Sequence, residues 1–534
     1  MPYKTSCVLL LGRLASSYAH SYASNQVPVV KDSTLVAANF PNLTHIKLLS
    51  PSFVHPETIP SGFANGTSGP TDLVTLDNFL QTLASRNSWM TYQNPDFQSE
   101  EGRTLPHVFL SKPSQDRTAP RKVRIWMQGG VHGNEPAGDQ GLLALLGEMD
   151  ENPKWADDVL DKVEILMVPR YNPDGVAYFQ RYLATSLDPN RDHTKQASLQ
   201  TSNIKHLAME FAPHVGLDCH EYTATRYVGA NKQWIPAKDA EFSAMKNLNI
   251  HPDIRNLSET LFVGAIATAL DKEKLRWGPY VDSNEGTDDL VLEETSSDAK
   301  VGDSSIALGQ AVMFLSETRG IGLADQHWQR RVATSFTIAR TIVETVVKNA
   351  EHVLDVVEKS RADFIKSDRE IVVTDSAKKT EILWQYIDAR NGSLVDVPVT
   401  FMNTTALQAN LTRSRPEAYV FSRAFSAVVP KLRAAGLVVE ELRATFSGQV
   451  EALLVTNASI ESVKYEGIAR TTVVTKTVYR EVSIPAGGFW VSTRQKNAAH
   501  AFSVLEPENI DSYASFNLIP VNTEDEYPIY RVMK

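Results

Sequence analysis

The sequence is poor in cysteine, with only Cys7 and Cys219 among its 534 residues. Cys7 lies in an N-terminal segment that processing would remove, so we expect no disulfide framework in this protein. An excess of positive charge is missing too, because the net charge is −10 and the isoelectric point is about 5.8. Domains that bind nucleic acid normally carry a basic face, so the composition argues against such a partner.

Long apolar runs are also absent. The N-terminal run from Val8 to Leu11 is far shorter than the ~20 residues that a membrane-spanning helix requires. We find no internal repeat and no low-complexity tract. The 42% hydrophobic and 22% charged residues are typical of a globular protein, and a chain of this length predicts two or three domains.

The N-terminus has features of a secretory leader. Lys4 precedes the apolar run, and Ser21-Tyr22-Ala23 would end a signal peptide at a small residue, although Arg13 interrupts the run. Seven Asn-x-Ser/Thr sites agree with a secretory route; they are Asn42, Asn65, Asn256, Asn391, Asn403, Asn410 and Asn457. We therefore expect a secreted glycoprotein with a signal peptide over residues 1–23. A cytoplasmic chain is the alternative.

The remaining sequence divides into three parts. Residues 24–70 are rich in Pro, Ser, Asn and Gly and predict an extended arm. Residues 71–370 alternate apolar strands with helical spacing, which predicts an α/β catalytic domain with a mixed, mostly parallel sheet flanked by helices. Residues 371–534 change to short strands and turns, which predicts a smaller β-rich domain. In an α/β sheet, ligands gather beyond the carboxyl ends of the strands.

Polar residues follow the predicted strand Lys122–Gln128 at just such a position. His132 and Glu135 stand three residues apart at a loop-to-helix junction, where an imidazole and a carboxylate can bind one cation. A histidine and a glutamate at this spacing arise by chance about once in a chain of this composition. A loop histidine satisfied by local hydrogen bonds is therefore the competing interpretation.

A third candidate ligand is His220, at the end of another predicted strand. Two histidines and one glutamate leave a fourth position open for water, as a catalytic zinc site requires. A core histidine at a strand end is the competing interpretation. Asp218 is placed to orient a ligand histidine or to cap the strand.

Further motifs occur in a fixed order around these residues. They are His132–Glu135, Asn172–Gly175, Arg181, Asn190–Asp192, the upstream Ser99–Pro106 and the downstream Phe314–Gly320. This ordered set resembles the carboxypeptidase A-like zinc metallopeptidases over about residues 72–350. The resemblance implies one Zn²⁺ per chain held by His132, Glu135 and His220, with peptide or protein C-termini as substrates.

The resemblance also implies roles for four further residues. Glu317 matches the general base, and Arg181 matches the residue that polarises the scissile carbonyl. Asn190 and Arg191 match the pair that grips the terminal carboxylate of the substrate, which a guanidinium fork can bind bidentately. Without the family pattern, Glu317 would be interpreted as an exposed strand-end carboxylate and both arginines as solvated surface residues.

The sequence departs from the family at one loop. The family carries a substrate-binding tyrosine about twenty residues before the base, and residues 290–309 contain none, so Tyr280 is the nearest candidate. The C-terminal part resembles the β-rich extension of some microbial members, for which we expect a structural or gating role.

Two other functions remain open at this point. A zinc amidohydrolase that deacylates N-acyl amino acids would share the ligand pattern and the carboxylate-binding arginine. A catalytically inactive binding module is the other alternative. The length of the catalytic domain, the Ser99–Pro106 turn between two predicted strands and the secretory features favour peptides.

Overall fold

The computed structural model describes residues 23–112, 121–229, 231–283, 290–294 and 297–534. Of the predicted signal peptide, residues 1–22 lie outside this part of the chain. No helix of the described residues is both long enough and apolar enough to span a membrane.

The helices mostly begin at capping residues or prolines, as their sequences lead one to expect. Asp72, for example, accepts a hydrogen bond from the backbone N–H of Thr75 at the start of the third helix. The α-helices are α1 (Thr34–Ala37), α2 (Pro51–Val54), α3 (Leu73–Arg86), α4 (Pro136–Glu151), α5 (Pro153–Leu160), α6 (Pro173–Tyr178), α7 (Leu199–Phe211), α8 (Pro252–Leu257), α9 (Gly264–Lys272), α10 (Gly302–Ala307), α11 (Trp328–Lys348), α12 (Ala350–Lys366), α13 (Val429–Ala434) and α14 (Ala498–Leu505). Shorter helical turns span Pro56–Thr58, Ser61–Asn65, Pro189–Arg191, Ser258–Val263 and Arg423–Val428.

The strands form three sheets. In chain order they are β1 (Met90–Gln93), β2 (His107–Leu110), β3 (Val123–Gly129), β4 (Val163–Val168), β5 (Val215–Thr223), β6 (Trp234–Pro236), β7 (Ala240–Ala244), β8 (Trp277–Gly278), β9 (Val281–Ser283), β10 (Val291–Glu294), β11 (Val312–Ile321), β12 (Ile371–Asp388), β13 (Leu394–Arg413), β14 (Ala418–Phe421), β15 (Glu440–Glu441), β16 (Phe446–Ile460), β17 (Thr471–Ile484), β18 (Phe489–Ser492) and β19 (Ile529–Val532).

The largest sheet has eight strands in the order β1-β2-β4-β3-β5-β11-β7-β8. Its four central strands β4, β3, β5 and β11 run parallel, and antiparallel pairings flank them. The central strands are buried almost along their whole length, which is why they begin with mostly apolar residues, while the carboxyl halves of β5 and β11 carry buried polar residues. The predicted α/β class with a mixed, mostly parallel sheet is confirmed.

The C-terminal residues build most of the other two sheets. A six-stranded sheet has the order β15-β18-β14-β19-β16-β17, and a five-stranded sheet has the order β6-β12-β13-β10-β9. In the second of these, β12 pairs with β6 and β13 pairs with β10. Main-chain hydrogen bonds therefore cross the boundary predicted at residue 370, and the division of the chain into domains stays a prediction.

The N-terminal arm packs against the carboxyl end of β11. The Asp32 carboxylate accepts two hydrogen bonds from the Arg319 guanidinium, at 2.7 and 2.8 Å, and lies 3.1 Å from His327 Nε2. The backbone N–H of Val30 donates to Gly322 O. These contacts attach the arm to the strand that carries Glu317.

Candidate metal centre and active site

The predicted metal ligands meet at the carboxyl ends of parallel strands. His132 and Glu135 lie in the loop between β3 and α4, and Pro136 occupies the first turn of that helix. His220 lies on β5, which pairs with β3 on one side and with β11 on the other. In the β5–β11 register, His220 stands opposite Glu317. The topology of the sheet thus places three distant segments at one edge.

The loop that carries His132 needs glycine at position 133. An added Cβ there would lie 1.9 Å from the backbone carbon of Gly175, so two backbones touch at this point. Asn172 caps α6 by accepting from the N–H of Gly175, and its Nδ2 donates to the carbonyl oxygens of Arg181 and Tyr182. The Asn172–Gly175 turn therefore connects the ligand loop to the segment that holds Arg181.

The three ligand side chains are buried and close together. His132 Nδ1 lies 2.8 Å from one Glu135 oxygen, and His220 Nδ1 lies 2.9 Å from the other. The two Nδ1 atoms are 3.1 Å apart, and one donor atom from each residue falls within 4.8 Å of the others. Two imidazoles and a carboxylate are the donors that zinc prefers, and they leave a coordination position for water.

The charges around these ligands favour a cation. Burial by itself would raise the pKa of Glu135, but His132 and His220 together lower it below its usual range. Burial by itself would lower the pKa of His220, but the carboxylates of Asp218 and Glu135 raise it well above its usual range. Both shifts show that this pocket stabilises positive charge beside Glu135.

Each histidine also has a carboxylate behind it. Asp188 Oδ1 lies 3.0 Å from His132 Nε2, and Asp218 Oδ1 lies 3.1 Å from His220 Nε2. Gln128 Nε2 in turn donates to Asp218 Oδ2 at 2.7 Å. A carboxylate only accepts, so His132 Nε2 carries the proton of its hydrogen bond to Asp188 and His132 Nδ1 is free to bind a metal. For His220 the carboxylate of Asp218 is close, but the two atoms form no well-aligned hydrogen bond.

Glu317 reaches the same cavity from β11. Its Oε2 is buried and has no hydrogen-bond partner among the described residues. Burial raises the pKa of Glu317 well above its usual range, and the negative charge of Glu135 raises it further. Glu317 is therefore a carboxylate with a strong tendency to accept a proton.

Arg181 contacts two carboxylates of the site, those of Asp188 and Glu135. Its Nε and Nη2 donate to Asp188 Oδ2 at 3.0 and 2.8 Å, and its Nη1 donates to Glu135 Oε1 at 3.2 Å. Burial would lower the pKa of Arg181, but the charges of Asp188 and Glu135 raise it. The guanidinium remains a cation beside the metal ligands.

Asn190 and Arg191 follow in a helical turn. Asn190 Oδ1 accepts from the N–H of Gly302 at 2.7 Å, which leaves the amide Nδ2 as the group available to a ligand. Arg191 Nη1 donates to the carbonyl oxygen of Asn190 at 2.8 Å. Burial by itself would lower the pKa of Arg191, but the negative charge of Asp188 raises it, and within the described part of the chain the guanidinium forms no ion pair.

A cavity of about 550 Å³ connects these groups. Seven of the eight residues that the sequence singles out line it, and His220 lies just beneath its wall. The seven are His132, Glu135, Arg181, Asn190, Arg191, Tyr280 and Glu317. Burial raises the pKa of Tyr280, as does the negative charge of Glu317, so the phenol stays protonated there.

Sequence reasoning missed three residues of this site. Asp188 stands two residues before the Asn190–Asp192 motif, yet nothing in the spacing shows that its carboxylate touches His132. Glu241, opposite Glu317 in the β7–β11 register, also lines the cavity, and burial raises the pKa of its carboxyl group to about 8. Tyr465 enters the cavity from the C-terminal part, where no motif points to it.

Comparison with known proteins identifies a matching family and several similar proteins. The family model described as zinc carboxypeptidase matches residues 76–235. Carboxypeptidase 2 of Trichophyton tonsurans is 48% identical over 517 residues, which cover 96% of this chain and 96% of that protein. Carboxypeptidase 2 of Trichophyton rubrum is 47% identical with the same coverage.

A more distant likeness is found among solved structures. The metallo-carboxypeptidase of Burkholderia cenocepacia has a TM-score of 0.41 at 15% identity, over 52% of this chain and 70% of that one. The relatives that match nearly the whole chain at close to half identity decide the assignment: this chain belongs to the zinc carboxypeptidase family.

Proposed function

We propose that this protein is a zinc-dependent carboxypeptidase that hydrolyses the last peptide bond of peptides and proteins. The observation that carries the proposal is the guanidinium of Arg191, which forms no ion pair within the described residues and lines the same cavity as His132, Glu135 and Glu317. The guanidinium is partly buried, and its planar fork of donors suits an anion bound through two oxygens. The free carboxylate of a peptide C-terminus is such an anion, and it would place the last peptide bond near the metal ligands.

The residues present fit a zinc ion because their donor types suit it and they are buried. The carboxylates of Asp188 and Asp218 also lie behind the two histidines. His132, Glu135 and His220 would hold the ion. When bound, zinc supplies Lewis acidity and lowers the pKa of a water molecule to about 7.

Side chains of the protein carry out proton transfer, stabilisation of the transition state and substrate binding. Glu317 takes a proton from the attacking water and returns it to the leaving amine, a role suited to a buried carboxylate without a partner. Arg181 donates to the oxygen that becomes negative in the tetrahedral transition state; loss of one such donor commonly costs about 3 kcal/mol. Asn190 and Arg191 hold the terminal carboxylate and so restrict cleavage to the last bond.

One assay separates this function from its alternatives. Zinc-loaded protein is incubated with longer peptides, their C-terminally amidated forms and N-acyl amino acids, each with and without a chelator. Stepwise release of C-terminal residues from the free acids only, abolished by the chelator, is the expected result. Hydrolysis confined to N-acyl amino acids would identify an amidohydrolase, and zinc-bound protein inert on every substrate would identify a binding module.

We also propose that the protein is secreted and N-glycosylated. Six of the seven Asn-x-Ser/Thr asparagines are exposed and Asn403 is partly exposed, so an oligosaccharide could be attached without unfolding. The test is a glycosidase-dependent shift in electrophoretic mobility of protein recovered from culture medium. Protein that stays inside the cell and shows no shift would refute the proposal.

A further inference from the structure

The loop between β16 and β17 is a small rigid hairpin, residues 461–470. Tyr465 and Ile468 exchange backbone hydrogen bonds of 2.8 and 2.9 Å across its tip. The two residues between them, Glu466 and Gly467, have φ angles of 49° and 78°, as in a type I′ turn. Such a turn matches the twist of its strands, so the hairpin presents Tyr465 in a defined position.

The Tyr465 ring is held between two cations. The Arg470 guanidinium lies 4.3 Å from the ring centroid and is itself fixed by two hydrogen bonds to Glu461, of 2.9 and 3.0 Å. Lys300 Nζ lies 5.8 Å from the same centroid and forms ion pairs with Asp298 and Asp511. Because both cations have carboxylate partners, they orient the ring without leaving a net charge for a ligand.

The hairpin touches the active site directly. Glu466 Oε2 accepts a hydrogen bond of 2.9 Å from the backbone N–H of Asp188, the residue whose side chain contacts His132 and Arg181. Tyr465 and Arg470 line the cavity together with Arg191. Burial raises the pKa of Tyr465, and the positive charges of Lys300 and Arg191 partly offset that rise.

Building on the proposed function, we propose that Tyr465 is a substrate-binding residue supplied by the C-terminal part of the chain. Its hydroxyl donates a hydrogen bond to the peptide carboxylate that Arg191 holds. Arg191 Nη1 already donates to the carbonyl oxygen of Asn190, and a carboxylate with two oxygens can accept from a second group beside the guanidinium. In this arrangement residues 371–534 provide part of the substrate site rather than a separate support.

The variant Tyr465→Phe tests the hydroxyl alone, since the ring and its packing against Lys300 and Arg470 remain. We expect KM for an N-blocked dipeptide with a free carboxylate to rise on the order of tenfold or more, while kcat, zinc content and melting temperature stay close to those of the parent protein. Tyr479→Phe is the matched control, because Tyr479 is exposed on β17, the strand that follows the hairpin, and does not line the cavity. Its KM should be unchanged.

A second measurement reads binding without turnover. In a Glu317→Gln background, the dissociation constant of the same dipeptide should rise by a similar factor when Tyr465→Phe is added. Wild-type protein that releases C-terminal residues but shares its KM with Tyr465→Phe would overturn the inference and leave the proposed function standing. Wild-type protein without chelator-sensitive release would refute both.

Discussion

Asp188 Oδ1 lies 3.0 Å from His132 Nε2, although the two residues are 56 positions apart in the chain. The other oxygen of the same carboxylate accepts two hydrogen bonds from Arg181. The backbone N–H of Asn190 also donates to Oδ1, at 2.8 Å. One carboxylate thus connects His132, Arg181 and the turn that carries Asn190 and Arg191.

The first prediction follows from that contact. Asp188→Asn removes the negative charge that keeps the proton on Nε2 of His132, so zinc affinity should fall about 10- to 100-fold. Chelator competition with a zinc-sensitive dye measures it. Asp157→Asn is the control, because Asp157 lies exposed on α5. An unchanged chelator midpoint in Asp188→Asn would show that the contact does not support the metal.

The second prediction concerns the general base. Glu317→Gln should keep its zinc and lose about two to four orders of magnitude in kcat, because the amide cannot accept the proton from water. Zinc content and steady-state rates are measured on the same sample. Glu210→Gln is the control, because Glu210 is exposed on α7, and its turnover should match that of the parent protein. Near-normal turnover of Glu317→Gln would remove that residue from the mechanism.

The third prediction concerns recognition of the free carboxylate. Arg191→Ala should lower kcat/KM for free-acid peptides on the order of a hundredfold, because a charge-assisted fork is lost. Arg423→Ala, an exposed arginine of the C-terminal part, serves as the control and should behave like the parent protein. Equal cleavage of amidated and free-acid peptides by the unmutated protein would contradict the role of Arg191.

The fourth prediction uses glycine as a probe of the ligand loop. Gly133→Ala places a methyl group 1.9 Å from backbone carbon of Gly175, which has no side chain that could move aside. We expect a loss of stability of several kcal/mol together with loss of zinc binding. Gly264→Ala is the comparison, since nothing lies within 4 Å of its added Cβ at the start of α9. That variant should be neutral or up to about 1 kcal/mol more stable in urea unfolding.

The fifth prediction concerns pH and the N-terminal arm. Burial alone would raise the pKa of Asp32, but hydrogen bonds from His327 and Arg319 outweigh burial and lower it below 3.8. A carboxyl group with a depressed folded pKa stabilises the protein above its unfolded pKa, and this stability is lost as the pH falls through the folded pKa. Asp32→Asn should therefore lower the free energy of unfolding by about 2 kcal/mol at pH 7, and by less in acid once the pH falls through the lowered pKa of Asp32.

Urea unfolding at both pH values measures the difference between parent and variant. Asp325→Asn is the control, because the Lys31–Asp325 ion pair is about half exposed and should contribute little. A difference between Asp32→Asn and the parent that does not shrink in acid would show that the Asp32 charge is not the stabilising feature.

Local patterns predicted much of this fold. The predicted strand Lys122–Gln128 corresponds to β3, and the strand predicted to end at His220 corresponds to the first part of β5. The alternation of apolar strands with helical spacing correctly indicated the α/β class, because strands of a covered sheet need apolar side chains on both faces. The pairing of β12 with β6 was not predicted, since the two strands come from parts of the chain that the composition separates.

For the site, the sequence by itself determined which residue types stand at the ends of which strands. His132, Glu135 and His220 could be proposed as ligands because their spacing and their position after apolar runs are local properties. Only the tertiary structure decided that the Nδ1 atoms face one another, that Asp188 lies behind His132, and that Tyr465 reaches the cavity of Arg191. The physical reason is that such contacts depend on the path of the whole chain, and side chains that meet through the fold need share no pattern along the sequence.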